Sequence, residues 1–130
     1  MSDCACLYAD IDGPCDLSSV KVVKARKPFQ CCECRRKLPK GTSHEVARGL
    51  YEGSWFRDRT CLICVEVRKH FYCDGYTVST LWEDMAEQIW SGGAFRFECL
   101  SGLSVEAREF VLARWRIWKG LAQAEGVERG

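Results

Sequence analysis

The chain lacks any apolar run near 18 residues, the length that a membrane-spanning helix needs. Its first residues, Met-Ser-Asp-Cys-Ala-Cys, include neither a basic region nor an apolar stretch, so we expect no signal peptide. Only two histidines are present, His44 and His70, and we find no internal repeat or low-complexity linker. These absences favour a protein of a reducing cytoplasm.

Cysteine, by contrast, is abundant, with ten residues in a chain of 130. Disulfides are the usual explanation in a secreted domain, but the absence of a leader and the Cys-x-x-Cys spacing favour metal. Two such pairs, Cys31/Cys34 and Cys61/Cys64, are separated by 26 residues. The two-residue spacer allows both sulfurs of a pair to reach one ion at about 2.3 Å. The sequence therefore predicts a zinc ion held by four thiolates.

A second zinc ion is predicted because Cys32 is left over between the ligands Cys31 and Cys34, and adjacent side chains diverge. Cys73 or His70 competes for the fourth position of this site, and free thiols on a loose tail are the alternative. Cys99, between apolar neighbours, is expected to be a small buried hydrophobic residue. The predicted ligands of the second ion are Cys4, Cys6, Cys15 and Cys32.

The order of elements predicts an α+β fold, a small zinc-stabilised treble clef made of knuckle, β-hairpin and helix, with two further C-terminal helices. Residues 1–75 are expected to form the zinc-binding region and residues 76–130 a helical region packed on it, as one compact domain. The individual predictions are a strand over 20–25, a hairpin over 42–59 with its first arm at 44–48, its turn at 52–54 and its second arm beginning at 55–57, helices over 61–72, 79–90 and 104–124, a cap at Gly75 and an extended piece over 95–97.

An enzyme is not expected from this pattern. Four thiolates close a zinc site, whereas a catalytic zinc keeps one position open. His44 lies near the hairpin, as in treble-clef nucleases of the His-Asn-His type, but the paired histidine is lacking. We therefore predict a non-enzymatic protein.

A resemblance covers about residues 1–90. The segments that carry it are Cys4-Ala5-Cys6, Ala25-Arg26-Lys27, Cys31-Cys32-Glu33-Cys34, Cys61-Leu62-Ile63-Cys64, His70-Phe71-Tyr72-Cys73-Asp74-Gly75 and Leu81-Trp82-Glu83-Asp84. With these segments the chain resembles small, uncharacterised zinc-finger-like proteins of tailed bacteriophages. The resemblance implies action in the cytoplasm of a bacterial host, as a modulator of a host protein or an inhibitor of a defence complex such as CRISPR.

Two kinds of partner follow from the residues. The stretch from Lys21 to Lys40 has a net charge of +7, and a nucleic-acid partner is the alternative that it suggests. A protein partner, or a homodimer through the C-terminal helices, is favoured because two zinc–tetrathiolate sites would bring the chain from +1 to −3. The predicted nucleic-acid residues are Lys24, Arg26, Lys27, Arg35, Arg36, Lys37 and Lys40. The predicted protein-interface residues are Arg114, Trp115 and Trp118.

Overall fold

The structure is a computed structural model that describes residue 7 and residues 15–72, 79–91 and 96–129, with the side chains of 15–18 and 122–129 left aside. Its strands form two antiparallel sheets. The larger sheet has the order β1-β4-β5, and the smaller pairs β2 with β3. The strands are β1 (Cys15–Lys24), β2 (Phe29–Gln30), β3 (Lys37–Leu38), β4 (Ser43–Tyr51) and β5 (Ser54–Cys61).

The predicted hairpin is present as β4 and β5, which are longer than the sequence indicated. Glu52 and Gly53 connect them and both have positive φ, at 50° and 81°. A two-residue connection with two positive φ values matches the right-handed twist of the flanking strands. Glycine suits its position because a side chain is disfavoured there.

The helices begin and end close to the predicted positions. They are α1 (Leu62–Phe71), α2 (Leu81–Asp84) and α3 (Val105–Arg129), with a π-helical turn over Met85–Trp90 and a 3₁₀ turn over Phe97–Leu100. The hydroxyl of Ser104 accepts a hydrogen bond from the N–H of Ala107, which confirms Ser104 as the N-cap of α3. The predicted cap at Gly75 lies outside the described residues.

Three predictions of helical structure need correction. The helix predicted over 79–90 begins at Leu81 and widens to π-helical pitch, with the N–H of Ser91 donating to the carbonyl of Ala86. Phe97, predicted as extended, begins a 3₁₀ turn. The last helix continues past Ala124 to Arg129. The spacing of apolar residues identified the buried faces of these helices, but it could not distinguish an α-helix from a π-helical or a 3₁₀ turn.

The apolar core lies among the helices rather than within the sheet. Val67 and Phe71 of α1 meet Met85, Leu100 and other side chains from both predicted regions, 1–75 and 76–130. Among the described residues, the helices are all too short or too polar to cross a membrane.

A buried Glu–Arg–Glu group connects the knuckle to α1 and the sheet. Arg68 of α1 is 2% exposed and lies 2.5 Å from Oε1 of Glu45 in β4 and 3.6 Å from Oε2 of Glu33. Glu33, between the two ligands of the first Cys-x-x-Cys, also accepts a hydrogen bond from the N–H of Leu81. Burial raises the pKa of Glu33, and the Leu81 N–H and the Arg68 charge oppose that effect. One cation thus compensates two buried carboxylates from separate elements.

Replacing Arg68 with Ala is expected to destabilise the protein by about 3–5 kcal/mol, because two carboxylates would stay buried without their cation. Urea unfolding of the zinc-loaded protein measures the change. Arg108→Ala, an exposed arginine of α3, is the control and should change stability by less than about 0.5 kcal/mol. Equal losses of unfolding free energy in the two variants would show that the buried Glu–Arg–Glu group does not contribute more to stability than an exposed arginine.

Candidate metal centre

Four cysteine sulfurs converge between the knuckle and the start of α1. Cys31 and Cys34 lie in the turn after β2, Cys61 ends β5, and Cys64 lies in the first turn of α1. All four residues are buried, and their sulfurs lie within 4.8 Å of one another. The predicted first set of ligands is therefore assembled as one group.

The spacing of the sulfurs fits a tetrahedral ion. Four sulfurs at about 2.3 Å from one zinc lie about 3.8 Å apart along each edge of the tetrahedron. The sulfurs of Cys34 and Cys61 are 3.9 Å apart. A donor set of four buried thiols is the one that structural zinc sites use. These four residues could bind one zinc ion.

Every sulfur of the group accepts a hydrogen bond from nitrogen. Cys31 accepts from the backbone N–H groups of Glu33 and Cys61, at 3.4 and 3.3 Å. The side chains of Arg36 and Trp82 serve the other three sulfurs: Arg36 Nε to Cys34 at 3.3 Å, Arg36 Nη2 to Cys61 at 3.5 Å, and Trp82 Nε1 to Cys64 at 3.4 Å. Donors placed around sulfur stabilise thiolate, the form that binds metal.

The pKa of each of the four thiols depends on its contacts with the other three sulfurs. Hydrogen bonds with the other three sulfurs, first with Cys31, lower the pKa of Cys34, and Arg36 acts in the same direction. The contacts with Cys31 and then Cys34 raise the pKa of Cys61 and of Cys64. A divalent cation at the centre would supply the charge that allows all four thiols to ionise.

Arg36 is the cation of this centre. Its guanidinium group contacts two sulfurs and also lies 4.3 Å from the centroid of the Phe110 ring. Burial opposes its charge, but the contacts with Cys34 and Cys61 prevail and raise the pKa of Arg36. Arg36 is consequently engaged inside the protein, in contrast to its prediction as a nucleic-acid contact.

Cys32 does not join the group of four sulfurs. Its sulfur lies 3.3 Å from the hydroxyl of Thr60, and burial raises the pKa of this thiol to about 11. Its proposed co-ligands Cys4 and Cys6 lie outside the described residues, as does the side chain of Cys15. Within the described part of the chain, the group of four is the only cluster that could hold a metal.

Two other candidate ligands have different environments. The ring of His70 forms a hydrogen bond through Nε2 with the backbone carbonyl of Cys99 and packs edge-on against Phe71. Cys73 lies outside the described residues. Cys99 is buried as predicted, but it is disulfide-bonded, so the prediction of a simple hydrophobic role was wrong. Sequence spacing cannot reveal such a pairing because it depends on the tertiary fold.

His44 is a buried structural residue. Its Nε2 lies 2.8 Å from Nη1 of Arg59, which can only donate, so Nε2 accepts and Nδ1–H donates to the carbonyl of Thr42 at 3.1 Å. The ring also stacks on Phe29, with centroids 4.0 Å apart. Both ring nitrogens are therefore engaged in the fold.

The predicted basic residues are spread over several elements. Lys24 ends β1, Arg26 and Lys27 follow it, and Lys37 and Lys40 lie in and after β3; all five are exposed. Arg35 lines a cavity together with two arginines of β5 that were not in the predicted set, Arg57 and Arg59. Their strand carries the motif Trp-x-Arg-x-Arg, and this two-residue period was the signal that could have identified them.

The predicted protein-interface residues contact the chain itself. Arg114 lies over the ring of Trp82 at 4.6 Å, and Trp115 meets Phe97 edge-on at 5.5 Å. The rings of Trp118 and Trp90 are 5.8 Å apart. The hydrogen bond from the N–H of Trp82 to the sulfur of Cys64 was not foreseen from the sequence.

Zinc affinity is expected to fall on the order of a hundredfold or more in Cys34→Ser, because one of four thiolates that share about 10–16 kcal/mol of binding free energy is lost. Cobalt titration measures this through the absorption of a tetrathiolate complex. Cys32→Ser is the matched control and should keep that absorption, since Cys32 faces Thr60. Loss of the tetrathiolate spectrum in the control would contradict the ligand assignment.

Trp82→Phe should weaken zinc binding by about 10- to 100-fold, the usual effect of removing an outer partner of a ligand. The ring and its packing remain, but the N–H that donates to Cys64 is lost. Trp118→Phe makes the same substitution at a tryptophan whose ring packs against Trp90, and it serves as the control. Competition with a coloured chelator measures both affinities, and equal values would exclude the hydrogen bond as the cause.

Comparison with known proteins adds no family or relative to this description. Neither the protein-family models, nor the curated proteins, nor the solved structures include a match to this chain.

Proposed function

We propose that this chain is a zinc-stabilised, non-enzymatic module that binds nucleic acid with one face of its three-stranded sheet. The carrying observation is the composition of that face. Because side chains alternate along strands, the register β1-β4-β5 places one set of residues together on it. We call it the basic face; its described side chains are Ser19, Lys21, Val23, His44, Val46, Arg48, Leu50, Trp55, Arg57, Arg59 and Cys61.

The basic face carries four cations from three strands. Arg48 and Arg57 are directly paired across β4 and β5, and Lys21 is paired with Val46 beside Arg59. Its described side chains include no carboxylate, although the register places Asp16 at the corner next to Leu50. Cations that come together from adjacent strands suit the contact with a polyanion.

The opposite face is covered where Glu45 and Thr60 are buried against the rest of the fold, and Glu45 contacts Arg68 of α1. On the basic face, Lys21, Arg48, Trp55 and Arg57 are exposed, whereas His44 and Cys61 are buried. Trp55 is 70% exposed near the hairpin turn, in line with Arg57 and Arg59. An exposed indole in line with arginines suits the stacking of unpaired bases, so a single strand is the form of nucleic acid that we favour.

The net charge does not decide against this partner. The four-cysteine centre alone would bring the formal charge from +1 to −1, and a second zinc ion would bring it to −3. Affinity for a polyanion depends on the local potential of the contacting face more than on a net charge this close to zero. The expected protein-interface residues Trp115 and Trp118 are moreover used within the fold.

A protein partner is the second candidate, and one observation favours it. Ile117 and Leu121 lie one turn apart on α3 and are 65% and 64% exposed. Neighbouring exposed apolar residues on a helix suit a second helix, either of a host protein or of another copy of this chain. The resemblance to phage proteins adds a bacterial host as the setting for either partner.

Two finer expectations belong to the same proposal. The order knuckle, hairpin and helix, with two sulfurs from the knuckle and two from the hairpin–helix junction, supports a treble clef. A second zinc ion at Cys4, Cys6, Cys15 and Cys32 would connect the N-terminal segment to the knuckle. Metal analysis of the reduced protein decides this point, with two ions per chain expected for two sites and one for the first site alone.

Trp55→Ala should weaken binding of a single-stranded DNA of about 12 nucleotides by roughly 5- to 100-fold, because one stacking contact is lost. The side chain is mostly exposed, so stability should change little. Fluorescence anisotropy over a range of salt concentrations measures the affinity, which should fall as salt rises. Ile117→Ala, an exposed apolar residue on α3, is the control and should bind like the wild type.

A pair of lysines tests which side of the sheet binds. Lys21 and Lys24 are both exposed in β1 but point to opposite faces. Lys21→Ala should weaken binding and lower the salt dependence, whereas Lys24→Ala should not. Equal effects, or binding that is insensitive to salt, would reject the basic face as the site.

A further inference from the structure

A polar cavity of about 360 Å³ lies at the edge of the sheet where β5 meets the knuckle. Its described lining includes three arginines, Arg35, Arg57 and Arg59, and one acidic residue, Asp58. The net charge of these groups is +2 with Asp58 ionised. The volume is within the usual range for small-molecule sites, at its lower end.

The arginines are available to a ligand. Within the described part of the chain, neither Arg35 nor Arg57 makes an ion pair. Arg59 is held in place because its Nη1 donates to Nε2 of the buried His44 at 2.8 Å, which leaves its other N–H groups to donate elsewhere. Three arginines at one cavity, one of them oriented by His44, suit the binding of an anion with several oxygens.

The backbone at this cavity is strained. Three described residues other than glycine have positive φ, and two of them, Arg35 at 65° and Ser79 at 75°, line the cavity. Glycine would adopt this conformation at Arg35 without the clash of a side chain. Gln30 supports the strained turn by donating from its amide to the carbonyl of Arg35 at 2.9 Å. Strained residues of this kind concentrate at functional sites, and here the strain places a cation.

We propose that this cavity binds a phosphate monoester, the group at the end of a nucleic-acid strand. A terminal phosphate carries nearly two negative charges at neutral pH and presents three terminal oxygens, whereas an internal phosphodiester carries one charge. The net charge of +2 and the three guanidinium groups match the terminal group. The inference deepens the proposed function, because Arg57 and Arg59 also belong to the basic face and lead from Trp55 to the cavity.

The positions of the cavity and of Trp55 determine how a bound nucleic acid would lie on the sheet. Along β5, Trp55 and Arg59 are separated by four residues, or about 13 Å at the usual rise of a strand. The end of the nucleic acid would lie in the cavity, and the following bases would extend over the basic face towards Trp55. A recessed terminal phosphate is therefore the feature that the protein should distinguish from a hydroxyl end.

The test compares oligonucleotides of about 12 nucleotides that differ only at one end. One pair has a 5′-phosphate or a 5′-hydroxyl, and the other has a 3′-phosphate or a 3′-hydroxyl, with the dye on the opposite end. We expect one phosphorylated end to bind about tenfold or more tightly than its hydroxyl form, from two or more charge-assisted hydrogen bonds. Equal affinities in both pairs, with oligonucleotide binding intact, would reject the inference and leave the proposed function standing.

Arg35→Gly is the decisive variant, because glycine suits the positive φ and removes the guanidinium group. Its thermal midpoint should stay within about 3 °C of the wild type, while the affinity ratio between phosphate and hydroxyl ends falls to about one. Lys24→Ala, an exposed cation on the other face of the sheet, should keep the ratio. A preserved ratio in Arg35→Gly would overturn the assignment.

A mononucleotide separates the two proposals. Titration with a nucleoside 5′-monophosphate, followed through the arginine side-chain signals in NMR, tests the cavity without any strand. Binding that is lost in Arg35→Gly while no oligonucleotide binds would support the phosphate site and reject the nucleic-acid function. Binding of inorganic phosphate alone, or a preference for a phosphoserine peptide over the mononucleotide, would reject the strand end as the ligand.

Discussion

Four sulfurs define the geometry on which the rest of the structure depends. They connect the turn after β2, the end of β5 and the first turn of α1, which are separated by up to 33 positions in sequence. A metal ion bound by all four sulfurs would hold these segments together, because its binding free energy would add to the free energy of folding. The sheet contributes little to the apolar core, so the direction of the basic face is fixed largely through its junction with the metal centre.

Polar contacts surround the sulfurs, and residues of the knuckle between and after the cysteines make several of them. Cys31 and Cys34 point into the centre, while Glu33 between them reaches Arg68 and the N–H of Leu81. Arg36, two residues after Cys34, returns to contact two sulfurs. A stretch of six residues thereby combines ligands, a buried ion pair and charge compensation. A buried ion pair of this type favours one arrangement of the elements over alternatives, because each charge is costly without its partner.

Local patterns predicted those parts of the molecule that depend on local geometry. The Cys-x-x-Cys spacing identified the four clustered sulfurs, the alternation around residues 52–54 identified the hairpin, and Ser104 marked the start of α3. The Glu33–Arg68 contact and the Trp82 donor join residues that are distant in sequence, and no periodicity encodes them. The π-helical turn was missed for a different reason: its apolar spacing is close to that of an α-helix, so the buried face was found but the pitch was not.

The position of Arg36 has a consequence for how the chain unfolds. Its guanidinium group lies between two sulfurs on one side and the ring of Phe110 on the other, and Phe110 in turn meets Trp82 edge-on at 5.5 Å. The C-terminal helix is therefore attached to the same cation that balances the charge of the sulfurs. Loss of the ion would leave that cation without its strongest attraction and loosen the helix at once. The metal centre and the aromatic cluster should consequently unfold as a single cooperative unit. The stability of α3 would then depend on whether the four cysteines hold a metal ion.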